Sequence, residues 1–148
     1  MDPLSISAAL VAFLGASGSC TKILRSVIHN ANHAPDEILA LSNEISDINI
    51  LLSDIEATAR FIDQAGEPEE QSTLSAPLQL HLTKAKSILL LLETLASDLY
   101  TVLPDGRFKF QKLKWMQKKS AVLALKQDLV DIKRSLNLIL SSTAAYDP

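Results

Sequence analysis

Apolar positions recur along most of this chain at alternating intervals of three and four, the period of a helix with one buried stripe. The cleanest run is Ile38, Leu41, Ile45, Ile48, Leu52, Ile55, Ala59 and Ile62, a single seam without a break. Pro35 ahead of it, with Asp36 and Glu37, suits a helix start, where a missing N–H is harmless and negative charge meets the macrodipole favourably. A later run places Phe108, Trp115, Val122, Leu129 and Leu136 seven apart, joined by Leu125, Ile132 and Ile139, and Asp105 is its expected N-cap. Between them, from about Ala76 to Leu103, Leu78, Leu82, Ala85, Leu89, Leu92, Leu99 and Val102 repeat the spacing. Ile88 to Leu92 is apolar on every face, so this helix is expected to sit centrally or to meet a partner on its second side.

The opening segment differs. From Pro3 to Thr21 there is no charged residue, a length close to the ~20 needed to span a bilayer, but Ser5, Ser7, Ser17, Ser19, Gly15 and Gly18 dilute its hydrophobicity. A constitutive membrane span is therefore not expected. Ala8, Ala12 and Ala16 fall four apart and form a ridge of small residues that permits close helix approach. Proline and glycine punctuate the chain at residues 30–35, 64–73 and 104–106, leaving four long segments joined by short links. The expectation is an all-α fold, an antiparallel up-down four-helix bundle with long helices, occupying residues 1–143 as one domain with a tail at 144–148.

Composition agrees. The chain has 148 residues, 47% hydrophobic but only 5% aromatic, which favours helices rich in Leu, Ile and Ala over a β-sandwich. The lone Cys20 has no internal partner for a disulfide, and Met1-Asp-Pro lacks the basic start of an export signal. A cytoplasmic location follows as the expectation.

Charge changes the picture more than composition does. The net charge is −3, yet residues 34–70 carry ten acids against Arg60 alone, and residues 104–120 carry Arg107, Lys109, Lys112, Lys114, Lys118 and Lys119 against Asp105. The basic stretch interleaves with Phe108, Phe110 and Trp115, a composition open to three readings: nucleic acid, an acidic membrane or calmodulin-like partner, and internal pairing. Laid on a helix, Arg107, Lys114 and Lys118 flank one side of the Phe108–Trp115 seam and Lys109, Lys112 and Lys119 the other, which favours internal pairing with the acidic second helix. A closed bundle so paired is expected to bind membranes weakly. With a sequence pI near 5.5, nucleic acid is not an expected partner.

Motifs for chemistry are absent from the pattern. Gly15, Gly18, Gly66 and Gly106 build no phosphate loop, His29 and His33 lack a third metal ligand at a recognised interval, and no nucleophile elbow accompanies His81. No catalytic residue, cofactor or metal is expected.

The opener Met1-Asp-Pro-Leu-Ser-Ile-Ser-Ala-Ala-Leu-Val-Ala-Phe-Leu-Gly-Ala-Ser-Gly18, with Leu113-Lys-Trp-Met-Gln-Lys-Lys119 and the apolar stretch Leu129–Leu140, resembles the fungal N-terminal domains attached to STAND-type NTPases and ankyrin proteins, the HeLo-like cell-death domains. That resemblance implies a four-helix output module of an intracellular receptor, which self-associates when a downstream NTPase or repeat domain clusters it. It also implies that the first helix then inserts into the plasma membrane through Leu4, Ile6, Leu10, Val11, Phe13 and Leu14. Anionic membrane lipids are candidate partners of the basic segment on its charge alone. Withdrawing half a dozen core-facing apolar side chains costs on the order of 10 kcal/mol in water, so such a module needs a trigger. The alternative reading is an adaptor bundle that binds proteins and never enters lipid.

Overall fold

A computed structural model describes residues 3–30, 35–65 and 68–144, and describes side chains for residues 8–29, 35–57 and 76–141. Four helices, α1 (Pro3–Asn30), α2 (Asp36–Ala65), α3 (Pro68–Ser97) and α4 (Lys112–Ala144), form an all-α four-helix bundle. One small antiparallel hairpin, β1 (Tyr100–Val102) and β2 (Phe108–Phe110), interrupts the passage from α3 to α4.

Helix direction alternates along the chain. Ser17 of α1 bonds Asn49 of α2 across a short connection, which makes the two antiparallel. Glu37 pairs with Lys119, and Glu44 with Lys133, so sequence positions rise together along α2 and α4 and those helices run parallel. Around the bundle the order is α1, α3, α4, α2, with α2 and α3 across the diagonal. The packing of α1 on α3 is the most extensive in the molecule. At about 100° per residue, Ala8, Ala12 and Ala16 lie on the side of α1 that carries Ser19, whose hydroxyl donates to Glu93 of α3. Of that ridge Ala16 is buried and Ala12 half-buried, while Ala8 stands exposed.

The seams read from the sequence form the core. Ile38, Leu41, Ile45, Ile48, Leu52 and Ile55 of α2 are buried, and so are Leu78, Leu82, Ala85, Leu89 and Leu92 of α3, with Leu99 just past its end. From α4, Trp115, Val122, Leu129, Ile132 and Leu136 close the interior, with Leu125 and Ile139 half-buried against it. The side chains of Ala59 and Ile62 lie outside the described residues.

Three expectations are corrected. The connection expected at residues 64–73 is shorter: α2 runs to Ala65 and α3 begins at Pro68, taking Pro77 into its interior. Proline at a first helical position, followed by Glu69 and Glu70, is a favourable start, and burial of Leu78 and Leu82 offsets the cost of about 3 kcal/mol for Pro77 inside the helix. Second, α4 does not begin at an Asp105 cap. Leu103-Pro-Asp-Gly106 is a tight turn closed by Gly106 N–H donating to the Leu103 carbonyl at 2.9 Å, with Gly106 at φ +85°. Proline at the second turn position and glycine in the left-handed region are the residues that geometry takes. Asp105 accepts the Arg107 N–H at 3.0 Å instead of capping a helix.

Third, Phe108 and Val102 are strand residues, not seam positions. Tyr100 faces Phe110 and Val102 faces Phe108 across the ladder, and the Tyr100 and Phe108 rings meet edge to face at 4.9 Å. Tyr100 and Phe110 pack on the end of the core, while Val102 stays 63% exposed. Gln111 locks hairpin to helix: its N–H reaches the Leu99 carbonyl at 2.7 Å, its side-chain amide reaches Thr101, and its carbonyl receives Trp115 N–H at 3.0 Å.

Candidate functional surfaces

The helical stripe of α1 is built from Leu10, Phe13, Ala16, Cys20, Leu24 and Val27, all buried. Of the residues the family resemblance assigns to insertion, Leu10 and Phe13 belong to this stripe. Val11 and Leu14 do not: they stand 70% and 46% exposed, because they sit off the buried face by helical geometry. Leu4 and Ile6 lie in α1, but their side chains are outside the described residues. The image of six core-facing residues is therefore corrected; the buried side is longer and extends to Val27. Among the described residues, Ala8–His29 is the one helical stretch long and apolar enough to cross a membrane, and 33% of it is buried.

The basic segment is not one helix face. Arg107 closes the hairpin turn through Asp105 at 3.2 Å, and Lys109 stands on β2 opposite Thr101, on the face away from Tyr100 and Phe110. Lys112 and Lys114 are exposed in the first turn of α4. Lys118 pairs with Asp98 after α3, and Lys119 with Glu37 of α2, each at 3.2 Å. The Lys119 contact and a backbone hydrogen bond hold the Glu37 carboxyl below its usual range, the backbone bond being the larger cause. The expected pairing with the acidic helix thus holds for Lys119 within this segment. Lys133, outside the basic run, supplies the rest, reaching Glu44 at 2.8 Å and Asp47 at 3.6 Å, and its ammonium is held above its usual range chiefly by the Glu44 bond.

Lys109, Lys112 and Lys114 have no ion pair within 4.0 Å among the described residues. Around them Val102, Leu103, Leu113 and Met116 are exposed, Leu113 and Met116 to 76% and 74%. Sequence reasoning missed this cluster, although one signal was present: with Trp115 on the seam, Leu113 and Met116 must point elsewhere.

Two open grooves complete the surface. One, of about 530 Å³ between α1 and α2, is lined by Gly18, Thr21, Lys22, Arg25, Ser26, His29 and Asn49. The other, about 550 Å³ between α3 and α4, includes His81, Lys84, Ile88, Asp128, Asp131 and Ile132. Burial and the nearby Lys84 hold His81 below its ordinary value. Cys20 is buried, and burial, reinforced by Glu93, pushes its thiol up to about 12, where it is a poor nucleophile. Among the described residues no three His, Cys, Asp or Glu gather as a metal site; His33 lies outside them.

Set against family models, curated proteins and solved structures, the chain gives no match.

Proposed function

We propose that this bundle is the N-terminal effector domain of a fungal intracellular receptor, of the HeLo-like kind, which oligomerises and permeabilises membranes through α1. The observation that carries the reading is a helix with membrane-spanning length and composition that is only one-third buried, with Val11 and Leu14 on its water-facing side. Exposed apolar residues occur on every helix of the bundle, and what sets α1 apart is the absence of any charged residue from Ala8 to Thr21. Extraction would expose Leu10, Phe13, Leu24 and Val27, which costs on the order of 10 kcal/mol. Clustering and bilayer burial must offset that cost together, so the resting monomer stays closed.

Dye leakage from vesicles, with the chain clustered by a fused oligomerising tag, tests this reading. Val11→Glu with Leu14→Glu is the informative variant, since both sites are exposed and the bundle keeps its core. The expected result is leakage on clustering that this variant abolishes. Equal leakage from the variant, or none from the clustered parent, would sink the proposal.

A second reading is favoured by a different observation. Leu80, Leu90 and Leu91 are exposed on α3, where the sequence is apolar all round, and such a face suits an adaptor that docks a partner helix. In that case Leu90→Glu with Leu91→Glu abolishes partner binding, and vesicles stay intact under clustering.

A further inference from the structure

The end of the bundle formed by the hairpin and the first turn of α4 is unlike the rest of the surface. Along residues 102–116 the only acid is Asp105, and it is occupied by Arg107. Lys112 and Lys114 point to solvent without ion partners among the described residues and flank exposed Leu113 and Met116 at the start of α4, while Lys109 stands on the outer face of β2 and Val102 and Leu103 are exposed beside the hairpin turn. Leu113 and Met116 are three apart on one helix and share a face. The backbone beneath is held firmly: the strand ladder, the Gly106 turn and the Gln111 bonds fix the cluster against the core. Apolar side chains flanked by uncompensated lysines match a surface that is apolar below and anionic above.

We propose that this end is a membrane-docking foot, in which Leu113 and Met116 enter the headgroup region of an anionic bilayer while Lys112 and Lys114, with Lys109 on the outer face of β2, engage lipid phosphates and carboxylates. Each lysine near an anionic leaflet adds attraction, and the shallow apolar insertion adds to it without any unfolding. The closed bundle therefore binds anionic membranes, contrary to the weak binding expected from charge cancellation, because the neutralising acids reach Lys118 and Lys119 but not these three.

Geometry separates this surface from the insertion segment. Glu37, seven residues past the end of α1 at Asn30, pairs with Lys119, which puts the C-terminal end of α1 beside the foot. The 28 residues of α1 at about 1.5 Å each then place its N-terminal turns about 40 Å away, at the far end of the bundle. A docked bundle holds Leu4 to Leu14 away from the bilayer, so docking and perforation are distinct steps. The foot stands whether or not α1 perforates membranes.

Co-sedimentation of the unclustered chain with vesicles tests the proposal, comparing phosphatidylcholine alone with phosphatidylcholine containing phosphatidylserine. Binding to the anionic vesicles only, weakened by salt, is expected. Leu113→Ser with Met116→Ser, and separately Lys112→Glu with Lys114→Glu, should each weaken it about tenfold or more, while Val11→Ser with Leu14→Ser leaves it unchanged. Unchanged helical circular dichroism of all three double variants confirms that folding is intact. Equal binding to both vesicle types, no binding, or loss confined to the α1 variant would overturn the foot. So would a concentration-dependent dimer abolished by Leu113→Ser with Met116→Ser, which would make the surface a self-contact, or binding to polyglutamate in place of vesicles. Docking without leakage on clustering supports the foot and sinks the effector reading; leakage on clustering with no docking of the unclustered chain does the reverse.

Discussion

The Ser17 hydroxyl lies 2.8 Å from Asn49 Nδ2 and 3.0 Å from Asn49 Oδ1, a side-chain pair that joins α1 to α2 across 32 residues of sequence. Ser17 is 1% exposed, whereas Asn49 is half-buried and lines the open groove beside α1. Removal of the two partners is therefore unequal. Asn49→Ala strands a buried hydroxyl and should destabilise the fold by about 1–3 kcal/mol, while Ser17→Ala leaves an amide that water can reach and should cost less. Urea denaturation of both single variants and the double variant checks this, with the double expected to lie closer to Ser17→Ala than to the sum.

The two faces of α1 predict opposite sensitivities to truncation. Phe13 is fully buried, and Phe13→Ala should cost about 3–5 kcal/mol, whereas Val11→Ala should stay within about 0.5 kcal/mol of the parent. Thermal melting of the pair distinguishes a helix packed through one stripe from one buried all round.

Gly106 carries the hairpin turn at φ +85°, with open space where a Cβ would stand. Gly106→Ala meets no clash and should lose only the conformational term, about 1–2 kcal/mol. Amide exchange should localise the effect to residues 100–111, leaving α2 protected.

His81 sets a pH dependence on the acid side. Its value in the folded chain lies below the ordinary 6.5, through burial first and Lys84 second, while Asp128 and Asp131 of α4 line the same groove. The unfolded chain then takes up the proton before the folded one does. Stability is full above about pH 6.5 and declines as pH falls from there through the lowered folded value. His81→Gln should flatten that part of the stability profile measured by urea titration across pH.

Cys20 reports the position of α1. With its thiol pushed up to about 12 and no solvent exposure, alkylation at pH 8 should run at least about a hundredfold slower in the folded chain than in urea. If clustering without vesicles extracts α1 into water, the same reagent should label Cys20 at the unfolded rate, whereas α1 inserted in a bilayer keeps Cys20, near the middle of Ala8–His29, protected; mass spectrometry of the labelled chain reads the result.

The periodic seams of α2, α3 and the later part of α4 were legible because a helix repeats every 3.6 residues whatever its neighbours do, and a core needs one apolar stripe from each. Ile38 to Ile55 and Leu129 to Leu136 show this directly. Periodicity names the face but not what it faces. The diagonal placement of α2 and α3 came from close packing of α1 on α3, a relation among distant segments. Phe108 and Trp115 were seven apart by coincidence: a helix cap at Asp105 competed with a Pro-Asp-Gly turn, and the turn prevailed because Tyr100 to Val102 supplied a strand for Phe108 to Phe110 to pair with. Pairing across a ladder depends on both strands at once, and so does the exposure of Val102, Leu113 and Met116. By itself, the amino-acid order determined four helices and their inward stripes, since these follow from local geometry and hydrophobic burial. Tertiary structure alone decided which lysines found acids and which were left beside bare apolar side chains, because ion pairing and burial are properties of neighbours in space.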